Sequence, residues 1–207
     1  MGWANRLTIA RGVLAIALWG VLHTIAIGYH EVTSLWWIAF WIFVVAAATD
    51  SLDGYIARKL NEVSVFGRIA DPLVDKLLIL GSLLFLLGIP GVPPFLPPWT
   101  AAVILGRELL ITALRGSIEA RGKNFQAGVW GKAKMAVQCI AVGAVMLAGA
   151  GVPFVRARLF DVPVPPAGFR EVTLCWLLCV LAALITILSG IEYVKRALPL
   201  LRDEPGG

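Results

Sequence analysis

Residues 49–78 read TDSLDGYIARKLNEVSVFGRIADPLVDKLL. This stretch ends one apolar segment and begins the next, and it contains two pairs of aspartates. Asp50 and Asp53 are three residues apart, and Asp71 and Asp75 are four residues apart. In a helix, these spacings put both members of a pair on the same face. We therefore expect two helices joined by a short link, with the two acidic pairs facing each other.

The composition is that of a membrane protein. Hydrophobic residues make up 59% of the 207 residues, charged residues make up only 15%, and the mean hydropathy is +0.84. A soluble domain usually carries about 25% charged residues. The formal net charge of +5 therefore indicates basic residues at a lipid surface, and we expect membrane lipids and no nucleic acid as partners.

Six apolar segments have the length of a transmembrane helix, which needs about 20 residues. The predicted fold is an all-α integral membrane protein, a bundle of six transmembrane helices formed by residues 1–207 as a single domain. The proline-rich connection near Val162 is predicted only as a loop. The predicted spans are Leu7–Tyr29, Ser34–Ile56, Ile69–Ile89, Trp99–Ile118, Lys134–Gly151 and Val172–Val194.

Basic residues set the expected orientation. Arg6 and Arg11 flank the first span, and the links after the second and fourth spans and the segment after the sixth are also rich in Lys and Arg. The other set of loops is poor in both residues. The positive-inside rule therefore puts both termini and the acidic cluster on the cytoplasmic side of the cell membrane.

Four carboxylates at membrane depth need a positive partner. Each costs about 2.5–3.5 kcal/mol at the centre of a spanning helix, and four together also repel one another. Hard divalent cations prefer oxygen ligands. The sequence therefore predicts that Asp50, Asp53, Asp71 and Asp75 hold a pair of ions about 4 Å apart, an arrangement that neutralises phosphate oxygens.

The structural alternative is a set of ion pairs between these aspartates and the basic residues near them. Arg58, Arg68 and Lys76 are close enough in sequence for such pairs. Ion pairing alone does not require the two glycines of the stretch, Gly54 and Gly67. Glycine lets a ligand or another helix approach the backbone closely, so the pattern favours a binding site.

The spacing of these residues resembles the signature of the CDP-alcohol phosphotransferase family. The matching pattern in this sequence is Asp50-x2-Asp53-Gly54-x2-Ala57-Arg58-x8-Gly67-x3-Asp71-x3-Asp75. The resemblance implies six spanning helices, a homodimer and two divalent ions, Mg²⁺ or Mn²⁺. It implies that the four aspartates bind metal and that Asp75 is also the catalytic general base. It assigns the CDP group to Gly54, Arg58 and Ser64.

The resemblance extends beyond that stretch. Residues 5–11, NRLTIAR, are similar to the N-terminal segment of the family, in which Asn5 and Thr8 would approach the nucleotide. DPLVDK at 71–76, GRELL at 106–110 and GKAK at 131–134 are similar to family members that use glycerol 3-phosphate. The implied reaction transfers the phosphatidyl group of CDP-diacylglycerol to glycerol 3-phosphate and releases CMP.

Glycerol 3-phosphate is a dianion, so its site needs cations in addition to the metals. Arg107, Arg115, Lys132 and Lys134 are the candidates for the acceptor phosphate. The alternative for the last three is that they only follow the positive-inside rule. Arg107 lies inside an apolar run beside Glu108, where an ion pair is a functional candidate. Its alternative is a pair that locks helices together.

Two other functions are compatible with the acidic cluster. Within the family, the acceptor would be inositol or an inositol phosphate. In a different class, a divalent-cation transporter would also place carboxylates in spanning helices. Transporters commonly have repeated halves and discontinuous helices at the midplane of the membrane, and this sequence has no internal repeat. The acids also cluster near one face, which favours the enzyme.

Overall fold

The computed structural model describes residues 3–60, 65–121, 129–163 and 169–202. In these residues the fold is all-α except for one β-hairpin, and each predicted span overlaps one long helix. The helices are α1 (Trp3–Thr24), α2 (Thr33–Leu60), α3 (Val65–Leu87), α4 (Pro98–Glu119), α5 (Val129–Gly149), α6 (Pro153–Arg156) and α7 (Leu174–Arg202), and the strands are β1 (Arg158–Pro163) and β2 (Phe169–Thr173).

The first helix ends in a wide turn. After α1 the chain forms a π-helical turn, Ile25–Tyr29, in which Gly28 has a φ of 135°. Only glycine adopts this backbone conformation readily, so the helix stops here. The indole Nε1 of Trp36 donates a hydrogen bond of 2.9 Å to the carbonyl of His30, which fixes the start of α2 against the turn.

The bundle is built around α1 and α5. Helix α1 packs against α2 and α3, while α5 packs against α2, α3 and α7, and α4 packs against α3 and α7. The buried face of α1 carries Ala15, Leu18 and Leu22, and Ile25 continues it into the π-helical turn, all at most 2% exposed. Their spacing of three and four residues is that of one helix face, so one apolar stripe joins α1 to its neighbours.

Helix α7 has small residues inside and large ones outside. Its buried face includes Cys175, Cys179 and Ala182, whereas Leu184 and Leu188 are 50% and 58% exposed. Small residues at helix interfaces, with bulky apolar residues pointing away, are typical of helices that pack within lipid. In the last predicted span, the structure thus shows which face contacts other helices.

The prediction of an all-α fold is confirmed for the described residues. Two of their helices are long and apolar enough to cross a membrane, Leu7–Tyr29 and Leu174–Pro199. Three apolar stretches are shorter: Thr33–Thr49, Lys76–Leu87 and Ala133–Gly149. The number of spans therefore stays a prediction.

The connection near Val162 is more ordered than the predicted loop. It contains the short helix α6 and an antiparallel hairpin in which Phe160 pairs with Val172 and Val162 pairs with Arg170. β2 is rich in β-branched and aromatic residues, which favour extended structure, and β1 contributes Phe160 and Val162. The backbone N–H of Leu174 donates to the carbonyl of Ala157 at 3.2 Å. This bond ties the start of α7 to the base of the hairpin. The helix thus begins two residues later than the predicted span, which began at Val172.

Candidate functional site

The predicted site residues that the structure describes lie at one end of the bundle. Lys76, midway along α3, contacts Thr112 in the second half of α4, and Lys134, in the first half of α5, contacts Glu108. The opposite end is marked by Trp36, whose ring lies against Gly149 at the end of α5. The site end is therefore formed by the first halves of α1, α3 and α5 and the second halves of α2, α4 and α7.

The two acidic pairs lie on adjacent helices. Asp50 and Asp53 belong to α2, Asp71 and Asp75 belong to α3, and α2 and α3 pack against each other. Four carboxylates offer only oxygen ligands, so this donor set fits a hard divalent cation such as Mg²⁺. Among the side chains that the structure describes, which do not include these four, no group of three His, Cys, Asp or Glu residues forms a candidate metal site.

The predicted nucleotide-binding residues come from two helices. Asn5 and Thr8 lie on α1, and Gly54 and Arg58 lie on α2. The side chain of Thr8 faces the bundle, since the residue is 2% exposed. Ser64 lies outside the described residues.

Arg107 and Lys134 meet at a single carboxylate. Nη1 of Arg107 donates to Oε1 of Glu108 at 3.1 Å, and Nζ of Lys134 donates to the same oxygen. Their side chains are 12%, 10% and 5% exposed for Arg107, Glu108 and Lys134. We call these three residues the Glu108 cluster. Two cations around one carboxylate leave a net positive charge in a buried place, where an anion is attracted strongly.

Arg115 is not part of the Glu108 cluster. It lies eight residues after Arg107 on α4, about 12 Å further along the helix axis. Its Nε donates to Oε1 of Glu119 at 2.7 Å, and the two side chains are 53% and 48% exposed. Lys132 lies on the first turn of α5, two residues before Lys134. The four predicted acceptor cations thus include one buried pair, Arg107 and Lys134, and a separate, exposed Arg115.

Lys76 connects the acidic segment to α4, which the sequence did not predict. Its Nζ donates to Oγ1 of Thr112 at 2.5 Å, and this hydroxyl donates to the backbone carbonyl of Glu108 at 2.6 Å. The residue directly follows Asp75 in the chain. In the sequence, a lysine next to Asp75 was interpreted only as a possible ion-pair partner of the aspartates, because its contact lies on another helix.

Arg11 also differs from its prediction. It was expected to flank the first span at the lipid surface, but it is 0% exposed. It lies three residues after Thr8 and four before Ala15, on the buried stripe of α1. That spacing was the signal in the sequence. It places the guanidinium between helices, because a face shared with buried residues points to the neighbouring helices.

A groove runs along the outside of the bundle between α4 and α7. Its volume is about 430 Å³, and Arg107 lines it together with apolar residues such as Val103, Leu110 and Ile191. The side chain of Arg107 passes over Gly190, where a Cβ atom would lie 3.1 Å from its Cγ. The Glu108 cluster is therefore next to an apolar groove on the outer surface.

Comparison with known proteins identifies similar chains. The family model described as CDP-alcohol phosphatidyltransferase matches residues 1–188. A Bacillus subtilis relative named CDP-diacylglycerol–glycerol-3-phosphate 3-phosphatidyltransferase is 37% identical over 155 residues, which are 75% of this chain and 70% of that protein. A relative of the same name from Cereibacter sphaeroides is 30% identical over 189 residues, 81% of this chain and 85% of that protein. A third, from Pseudomonas fluorescens, is 33% identical over 166 residues, covering 79% of this chain and 76% of the relative.

Proposed function

The chain belongs to the CDP-alcohol phosphatidyltransferase family, and we propose that it transfers the phosphatidyl group of CDP-diacylglycerol to glycerol 3-phosphate, giving phosphatidylglycerophosphate and CMP. The observation that carries the assignment is the similarity to relatives named for this activity, at 37% and 30% identity over most of the chain. The buried Glu108 cluster supports it, because its excess positive charge suits the phosphate of the acceptor.

The four aspartates would hold two divalent ions, Mg²⁺ or Mn²⁺. When bound, these ions neutralise the phosphate oxygens of the donor and the negative charge on the departing CMP. Asp75 takes the proton of the acceptor hydroxyl. The acceptor oxygen then bonds to the phosphorus that carries diacylglycerol, and the bond from this phosphorus to the bridging oxygen of CMP breaks. Helices α2 and α3 position the reacting groups. Positioning and electrostatic stabilisation supply most of the rate acceleration in phosphate transfer.

The acceptor phosphate would lie at Arg107 and Lys134, with Lys132 nearby on the same helix as Lys134. Arg offers a planar fork for phosphate oxygens, and Lys offers a point charge. Arg115 would complete the site only if its side chain left Glu119, with which it forms an exposed pair. An exposed pair of this kind contributes little to stability, so an incoming phosphate can compete for it.

The membrane arrangement belongs to the same proposal. Residues 1–207 form one domain with six transmembrane helices, both termini are cytoplasmic, and the active site faces the cytoplasm from the cell membrane. The chain forms a homodimer, and Asn5, Thr8, Gly54, Arg58 and Ser64 bind the CDP group. The support for the transmembrane helices is the match of predicted spans to long helices and the small-inside, large-outside pattern of α7.

The direct test is CMP release from CDP-diacylglycerol with a panel of acceptors. The purified protein should release CMP with glycerol 3-phosphate and not with glycerol, inositol or inositol phosphate. A higher rate with inositol or its phosphate would overturn the acceptor assignment but keep the family chemistry. In proteoliposomes without substrate, Mg²⁺ or Mn²⁺ flux above the empty-vesicle rate would instead favour the transporter.

The acceptor site has its own test. Arg107→Ala should raise the KM for glycerol 3-phosphate about tenfold to hundredfold, the cost of one charged hydrogen bond, and change the KM for CDP-diacylglycerol little. Arg196→Ala is the matched control, since Arg196 forms an exposed pair with Glu192 on α7. If Arg107→Ala raises only the KM for the CDP-lipid, this cluster does not bind the acceptor.

A further inference from the structure

A buried arginine on α1 has no role in the chemistry described so far. Arg11 is 0% exposed, and its helix packs mainly against α2 and α3. A charged side chain inside a membrane bundle is costly and needs an opposite charge or polar partners. Arg11 does take part in a hydrogen-bonding, ionic or other electrostatic contact, although its buried Nε has no hydrogen-bond partner. Its position along the bundle indicates where that contact lies.

Aromatic contacts give the register between α1 and α3. The ring of Trp19 lies directly against Gly81 and stacks on Phe85 with a centroid distance of 6.1 Å, and the next turn of α1 brings His23 to the same Phe85. The two helices therefore run in the same direction. Arg11 is eight residues before Trp19, about 12 Å down the axis. The same step down α3 from Gly81 ends at Leu73.

Leu73 lies midway between Asp71 and Asp75. Arg11 is thus level with the acidic pair of α3. Helix α2 returns antiparallel to α1 after the turn near Gly28, so the pair Asp50 and Asp53 near its far end is also at this depth.

The acidic side chains that the structure describes are already paired, and Asp161 and Glu171 belong to the hairpin at the opposite end of the bundle. Glu31 pairs with His30, Glu108 with Arg107 and Lys134, Glu119 with Arg115, and Glu192 with Arg196. On the two helices that cover Arg11, the sequence contains only four acids, and these are the four aspartates. Glu62 lies in the link between those helices, outside the described residues, eleven positions from the level of Arg11.

We propose that Arg11 is the fixed cation of the aspartate cluster, a positioning residue that offsets the repulsion among the four carboxylates before metal binds. This role rests on the proposed metal site, but it does not depend on which alcohol is the acceptor. Metal ions and Arg11 then supply positive charge to the same carboxylates. Bound metal should therefore reduce the stabilisation that Arg11 provides, and Arg11 should reduce the affinity for metal. This coupling between the two is measurable.

The experiment measures thermal unfolding of the detergent-solubilised full chain with EDTA and with a titration of Mg²⁺, without lipid substrate. Arg11→Met keeps the length of the side chain and removes its charge. It should lower the Tm much more in EDTA than in saturating Mg²⁺. Arg11 and Mg²⁺ no longer compete for the same carboxylates in this variant. The Mg²⁺ concentration that gives half of the maximal increase in Tm should therefore fall about tenfold.

Three further variants make the result specific. Arg11→Lys keeps the charge and should behave nearly as the wild type. Adding Asp71→Asn to Arg11→Met removes one of the four negative charges. It should reverse part of the decrease in Tm that Arg11→Met causes in EDTA. Arg156→Met is the control, since Arg156 donates to the carbonyl of Ala148 at 2.5 Å and stacks on Phe95. Its effect on the Tm should be the same with and without metal.

Each outcome decides the proposal. An equal loss of Tm in EDTA and Mg²⁺ for Arg11→Met, with unchanged Mg²⁺ half-saturation, would show that Arg11 only packs or pairs elsewhere. If Arg11→Met does not fold, a wild-type Mg²⁺ response in Arg11→Lys supports the proposal and a lost response overturns it. No stabilisation of the wild type by Mg²⁺ or Mn²⁺ overturns the metal site and this role together. Absent CMP release, with the metal-dependent difference intact, overturns the proposed reaction alone.

Discussion

Glu108 shows how one residue sets the properties of its neighbours. Its carboxylate accepts hydrogen bonds from Arg107 on the same helix and from Lys134 on α5. Removing one member of a buried ion pair costs about 3–5 kcal/mol, because the other charge is left without a partner. The carboxylate therefore holds two cations in place while cancelling only one of their charges. That combination suits a site that must be rigid and still attract an anion.

The catalytic proposal concentrates on another single residue, Asp75. Asp75→Asn should lower the rate of CMP release about 10²–10⁴-fold, the usual contribution of a general base, while the CDP-lipid still binds. Loss of a metal ligand would add to the effect. The rate and the affinity for CDP-diacylglycerol are measured separately.

The control for Asp75→Asn is Glu31→Gln, which makes the same chemical change on a side chain that is 91% exposed at the turn between α1 and α2. Near-native turnover in Asp75→Asn would exclude it from the role of base.

At the scale of helices, α2 and α5 fit together through aromatic rings and glycines. Trp36 is 2% exposed and held by its hydrogen bond to His30. Its ring fills the space that a side chain at Gly149 would need, whereas Phe40 lies 3.5 Å from the Cβ position at Gly143. Close approach through small residues is how membrane helices associate. A larger side chain should therefore be tolerated less well at Gly149 than at Gly143.

Gly149→Ala should destabilise the protein by about 1–3 kcal/mol, since the added methyl group overlaps a ring that cannot move away. Gly143→Ala is the matched variant on the same helix and should be neutral or slightly stabilising, because alanine favours helix by about 0.5–1 kcal/mol over glycine. Thermal unfolding in detergent compares them. Equal Tm values for the two variants would contradict the packing of α2 against α5.

At the scale of the whole molecule, the bundle gathers residues from five helices at one end. Helices α1, α2 and α3 bring Arg11 and the aspartates to this end, and contacts through Lys76 and Thr112 connect them to the Glu108 cluster on α4 and α5. A reaction between two phosphate-bearing substrates needs such a concentration of both signs of charge. The arrangement therefore depends on the complete bundle and on no single helix.

Metal dependence is the property that this arrangement predicts for the enzyme as a whole. EDTA should abolish CMP release, and added Mg²⁺ or Mn²⁺ should restore it, because four carboxylates without metal would repel the phosphates of the donor. CMP release is measured after dialysis against chelator and again after titration with each metal. Full activity in metal-free buffer would rule out the proposed site.

Much of the architecture followed from local features of the sequence. Apolar length predicts helices, and spacings of three and four residues predict which residues share a face. Both properties are set within one segment, so the long helices and the positions of the acidic pairs on α2 and α3 were predictable. The hairpin near Val162 was missed because its strands are short and the segment that joins them is rich in proline, and only their pairing makes them recognisable.

The partners of the charged residues were decided by the tertiary structure alone. Lys134 and Glu108 are 26 residues apart, and Lys76 and Thr112 are 36 apart. Arg11 looked in the sequence like a basic residue at the edge of a span, yet the packing of α1 between α2 and α3 buries it completely. The sequence by itself thus determined the helices and the residue types available to the site. Which charges meet was decided by packing, because a side chain's partner depends on the register between helices, and no single segment encodes that register.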